Sequence, residues 1–137
     1  MDFVILTGDQ AIFDPVFGAA IVVPVPGTIT GSAAERSLGR QVCALGDEAS
    51  VVVPGVAYST PAFPQPGVGI LTILSLAADQ QAMQTTSGGR PLILRGTKFQ
   101  ARFQVVAPAS NPTSADVVPI YLGTGGFLTT NTTTRAA

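Results

Sequence analysis

The chain has no histidine, no tryptophan and a single cysteine among its 137 residues, and each absence closes a class of chemistry. Without imidazole there is no base for a serine or cysteine nucleophile, and no G-x-S-x-G elbow occurs. One thiol excludes an intrachain disulfide, and a tetrahedral zinc site would need carboxylates at ligand spacing, which do not cluster here. Cys43 lies in the apolar run "VCAL", where it acts as a small hydrophobe rather than a reactive thiol. A carboxylate pair such as Asp47 with Asp79 would suit a glycosidase, but such sites sit in clefts lined with aromatics, and this chain has two tyrosines and no tryptophan. The loops "GVG" (67–69) and "GTGG" (123–126) lack the third glycine of a dinucleotide fingerprint and the lysine of a P-loop. The chain therefore reads as no enzyme, with no catalytic residue, no metal and no cofactor.

Charge is scarce as well. Only 11% of residues are charged and the net charge is −1, where about a quarter charged is usual. Arg90, Arg95, Lys98 and Arg102 form a loose basic set, too thin for a nucleic-acid binder. No apolar stretch approaches the roughly 20 residues of a membrane span. The early run "FVIL" is too short for a signal h-region, so the chain reads as made in the cytoplasm. A surface with so little charge suits a member of an assembly better than a free monomer.

Punctuation is abundant. Fifteen glycines and eleven prolines leave no room for a long helix, and valine, isoleucine and threonine favour short strands. Phe3–Leu6 and residues 19–25, 42–45, 50–53, 70–74, 91–94, 98–106 and 117–122 read as strands. In the run 98–105, Phe99, Ala101, Phe103 and Val105 alternate with Lys98, Gln100, Arg102 and Gln104, the pattern of a half-buried strand. Residues 54–69 hold four prolines and read as an extended connection. Residues 28–38 fit either a short helix capped by Ser32 and Glu35 or a hairpin turning near Ser37–Gly39, and the hairpin is preferred. Ser75–Thr85 is the best helix, with Leu76, Ala82 and Met83 on an approximate face. The expected fold is mainly β: a compact, cone- or wedge-like single domain of short strands and hairpins with one short helix. It is expected over residues 1–123, followed by a Gly/Thr-rich tail over 124–137.

Two segments share a register. "LGRQVCALGDE" begins at residue 38 and "GGRPLILRGTKF" at residue 88. Gly39 and Arg40 fall on Gly89 and Arg90, an apolar run follows in both, and Gly46 falls on Gly96. Gly39, Gly46, Asp47, Gly89 and Gly96 are the expected structural turn residues, with positive φ expected at Gly46, Gly96 or both.

This hairpin–glycine-arginine–strand–glycine unit resembles those of PAAR-repeat and PAAR-like proteins, the tips of contractile injection machines. The resemblance covers residues 27–105. It implies a structural tip that caps a trimeric β-helical spike, one copy per trimer, and helps pierce a target envelope. The implied partners are the spike, cargo or an effector, and transiently the target membrane, with the particle tip as the location. Family members with a metal at the tip use histidines and a cysteine, and this chain retains only Cys43. Phe3, Ile5, Phe13 and Phe17 lie outside the repeat and are the expected docking residues, unless they complete the domain's own core. The alternative function is a decoration or binding protein on the capsid or tail of a phage-like particle.

Overall fold

Strand after strand in this chain alternates buried apolar residues with exposed ones, some polar and some apolar, and the result is a sheet that curls around its own buried face. A computed structural model describes residues 2–131 and 134–137. Thr132 and Thr133, in the expected tail, lie outside the described residues.

In chain order, β1 (Asp2–Phe3) and β2 (Gln10–Phe13) are followed by the small hairpin β3 (Val16–Phe17) and β4 (Ala20–Val22), then by β5 (Gly27–Thr28). A second hairpin, β6 (Arg36–Ser37) and β7 (Arg40–Gln41), leads through a 3-10 turn at Asp47–Ser50 into β8 (Val52–Ser59). Next come β9 (Gly67–Ser75), a 3-10 turn at Ala78–Gln80, and the hairpin β10 (Gln81–Ser87) and β11 (Arg90–Ile93). Finally β12 (Phe99–Ala107), β13 (Ile120–Leu128) and β14 (Arg135–Ala136) complete the order. Eight strands form one antiparallel sheet in the order β3-β4-β8-β9-β12-β13-β2-β5. Curling brings β5 back beside β8, where Gly27 lies against the side chains of Val51 and Val53.

The core fills this curl. Phe99, Ala101 and Phe103 on β12 are wholly buried, as their alternation requires, and Val105 packs against the same cluster. Phe103 lies between Tyr58 and Phe17, with ring centroids 5.0 and 6.3 Å away. Phe99 meets Phe13 at 5.5 Å and Phe127 at 5.1 Å. A Cβ at Gly125 would come within 2.7 Å of the Phe99 ring, so only glycine lets the backbone approach that ring so closely.

Three expectations change. The helix over Ser75–Thr85 is a single 3-10 turn, because β9 runs on to Ser75 and β10 takes the rest. The backbone from Gln81 pairs with β11 (Thr86 with Pro91, Ser87 with Arg90), so its amides have sheet partners in place of helical ones. Leu76 and Ala82 are buried while Met83 is 91% exposed, which is alternation rather than a helical face. Residues 54–59, expected in an extended connection, are the outer half of β8. Pro54 is accommodated at a bulge where the register slips between Val53 and Val56 and Gly55 takes φ +71°. Residues from 124 onward, expected as a tail, continue β13 to Leu128 and then pair as β14 with β1. Of the two alternatives for 28–38 the hairpin forms, but only as Arg36–Ser37 paired with Arg40–Gln41 across a turn at Leu38–Gly39.

Candidate functional site

Three runs of backbone leave the sheet at the same end and meet there: residues 2–9, 40–47 and 90–97. Their centres are joined in a closed ring. Ile5 N–H donates to Ile93 O, Ile93 N–H to Cys43 O, and Cys43 N–H to Ile5 O, each at 2.9 Å. A second ring surrounds it. Thr7 N–H donates to Gln41 O (2.8 Å), Leu45 N–H to Pro91 O (2.7 Å), and Arg95 N–H to Phe3 O (2.9 Å). In both rings the donor and acceptor positions repeat, so the three runs are related by an internal threefold axis.

Alternation along each run then sorts the side chains. Ile5, Cys43 and Ile93 belong to the main core within the sheet. Val4, Leu6, Val42, Ala44, Leu92 and Leu94 point the other way, into a second core with Ala33, Ala82 and Ala136. The triangle of runs thus separates the two cores like a lid. Burial pushes the Cys43 thiol up to about 12, helped by the nearby Asp47 and Asp9 carboxylates. That thiol is packing.

Each run ends in the turn glycine the repeat requires. Gly46 has φ +107° and Gly96 φ +54°, and the first run supplies Gly8 at φ +91°. After two of them an aspartate closes the turn. Asp9 Oδ2 accepts from Leu6 N–H and Asp47 Oδ2 from Ala44 N–H, both at 2.8 Å. The third run has Thr97 there, and Leu94 N–H donates instead to Gln80 O at 2.9 Å.

Ion pairs lock each run to the next. Arg40 reaches Asp9 at 3.3 Å and Thr7 O at 3.2 Å. Arg90 stands in the same place against Asp47 (3.8 Å) and Leu45 O (3.2 Å). At the third junction the signs are exchanged: Asp2, in the arginine's position, faces Arg95 at 3.3 Å and accepts from Gly96 N–H at 2.8 Å.

A two-stranded hairpin stands on every run: β6–β7, β10–β11 and β14–β1. The first two turn through Leu38–Gly39 and Gly88–Gly89, all at positive φ. The third is closed by pairing between the first and last strands (Asp2 with Ala136, Phe3 with Arg135), without a turn of its own. Neighbouring hairpins bond one another. Ser87 donates to Glu35 at 2.5 Å, Ser37 bonds Thr134 through their hydroxyls, and Thr85 Oγ1 donates to Ala137 O at 3.1 Å. The Ser87 bond also draws the Glu35 carboxyl below the usual carboxylate range.

A closed threefold of backbone, built from one chain and matched over the whole length by one family model, decides the assignment. The chain belongs to the contractile injection system spike tip family. The match runs over residues 1–137. No curated protein matches the chain. Spike tip proteins are structural parts of an injection particle, and this one is assembled at the particle tip.

The sequence reading found two of this spike tip protein's three repeats. The third is "DFVILTGD" at residues 2–9, and Val-x-x-x-Gly-Asp, shared by residues 4–9 and 42–47, is the signal that reveals it. Of the residues expected to dock, Ile5, Phe13 and Phe17 are at most 2% exposed and packed in the main core. Phe3 sits at the hairpin end, flanked by the Arg135 and Arg95 guanidiniums at 4.4 and 5.1 Å from its ring centre. No group of three or more metal-ligating side chains occurs among the described residues.

Proposed function

We propose that the hairpin end caps a trimeric β-helical spike, one copy per trimer, and that the protein leads the spike through a target envelope. The reading rests on one observation above the others, the closed ring through Ile5, Cys43 and Ile93. A threefold partner presents three equal surfaces around an axis. A chain that carries its own threefold can meet all three at once, and it occupies the axis, so a second copy has no room. The hairpins suit the contact. Each is two-stranded, and the edge of so small a sheet can take a strand from another chain, although β10 already gives Gln84 N–H to Ala137 O at 2.8 Å. Leu38 and Met83 on this end are 59% and 91% exposed, and Phe3 belongs to the third hairpin.

The test is co-purification with the trimeric spike subunit in about 0.5 M salt, which screens surface charge, followed by native mass spectrometry. The expected result is one copy per trimer, weakened by Met83→Asp with Leu38→Asp. Three copies per trimer, or no complex, would overturn the capping reading and favour a decoration protein.

A further inference from the structure

The end of the curled sheet opposite the hairpins carries no exposed charge. It is made by three connections, residues 15–26, 60–66 and 108–119. Residues 15–34 and 49–78 contain no charged residue, and 99–134 contain only Arg102 and Asp116. Arg102 lies at mid-height on the outer face, opposite Thr72 and Leu122. Asp116 is only 6% exposed, accepting from Tyr58 Oη at 2.8 Å and Tyr121 Oη at 2.7 Å. All other ionised side chains belong to the hairpins, the runs beneath them, or the strand ends nearest to them.

Apolar groups take the place of charge. Val117 is 90% exposed, Val23 64%, Val106 63% and Val16 61%. Backbone donors are also withdrawn. In the connection 60–66, Pro61, Pro64 and Pro66 have no N–H, while Thr60 and Phe63 bond each other and Gln65 bonds Ser110. In 108–119, three further prolines remove donors. Asn111 Oδ1 accepts from Thr113 and Ser114, and Asp116 Oδ1 from Val118. Such turns also occur in water, but in a bilayer, where no water can satisfy an unpaired backbone group, they are required.

Resting on the capping reading, which leaves this end foremost, we propose that the loop end is the bilayer-entering apex and that Val106 and Val117 contact lipid. An apolar protein surface is the other chemistry that could cover it, and the experiment separates the two. Full-length protein carrying Val117→Cys or Met83→Cys is labelled with an environment-sensitive fluorophore, Cys43 being fully buried and so unreactive. Vesicles of phosphatidylcholine alone are the probe, so that charge attraction plays no part. The label at 117 is expected to shift to the blue on vesicle addition and to be quenched by bilayer-resident quenchers, while the label at 83 does not respond. In unlabelled protein, V106D/V117D should lower vesicle co-flotation by about tenfold or more, given the cost of carrying a carboxylate into lipid, with the melting temperature and spike co-purification unchanged. A silent label at 117, or equal responses at 117 and 83, overturns the proposal. So does a double variant that loses the spike but keeps the vesicles, which would make this end the spike-facing one. Protein that behaves as expected with vesicles but never binds spike overturns the capping reading alone.

Discussion

At the residue scale, Leu38 and Gly96 show two ways in which backbone geometry restricts a side chain. Leu38 sits at φ +52° in a two-residue hairpin turn and is exposed, so its side chain contributes little to offset the strain. Leu38→Gly or Leu38→Asn should raise stability by about 1 kcal/mol in urea titration. Gly96 combines φ +54° with a crowded site, where a Cβ would lie 2.4 Å from Gln80 Cγ, whereas at Gly46 the nearest group is the mobile Arg90 guanidinium at 3.6 Å. Both valine variants should destabilise, Gly96→Val more than Gly46→Val. Equal midpoints for the two would refute the crowding argument. Asp116 gives a pH dependence. Burial raises its pKa, but the bonds from Tyr121, Val118 and Tyr58 outweigh that and hold it below the usual range. Its contribution is present above the unfolded carboxylate pKa of about 3.9 and lost as pH falls below it. Burial first, then Asp116, raises the Tyr121 phenol, so its contribution is full below about pH 10 and lost above it. Cys43, raised to about 12 in the fold, sets an earlier limit, so melting temperature should stay level from about pH 4 to about pH 8.5, where the unfolded thiol begins to ionise, with the acid limb shallower in Asp116→Asn.

At the element scale, the strand β12 carries the packing. Phe103 is fully buried against Tyr58 and Phe17, and its truncation to alanine should cost about 3–5 kcal/mol. Against a typical domain stability of roughly 5–15 kcal/mol, that leaves little folded protein, measurable as a collapse of the thermal transition. Alternation over 98–105 made this strand legible from its residues alone. The segment 75–85 was not legible in the same way. Ser75, Leu76 and the alanines fit a helix start, but an isolated helix of this length is marginal, and the β11 strand 90–93 offers a ladder that local sequence does not reveal. The buried Gln80, bonding Ala77 N–H and Arg95 O, is where the chain commits to the sheet.

At the scale of the whole molecule, the third hairpin has the geometry of the other two but is joined only by pairing of β1 with β14. The covalent order of the repeats is then not essential to the fold. A circular permutant with the ends joined by a short glycine linker, and new ends opened at Leu38–Gly39, should fold with an unchanged circular-dichroism spectrum. Failure to fold would mean that the β6–β7 turn is needed to assemble the ring.

Composition and turn chemistry determined much of this protein. Glycine, proline and β-branched residues dictated short strands, the missing imidazoles removed histidine as a base or ligand, and the positions of Gly46 and Gly96 marked equivalent turns. Those properties are local, set by the torsions and hydrogen-bonding capacity of each residue. The threefold ring was decided only in three dimensions. Its bonds join Ile5, Cys43 and Ile93, and no residue type marks those positions because backbone groups make the contact. Phe13 and Phe17 went inward for the same reason. Nothing in an apolar side chain says which surface it will meet, and here the curl of the sheet brought Phe99 and Phe103 to them first.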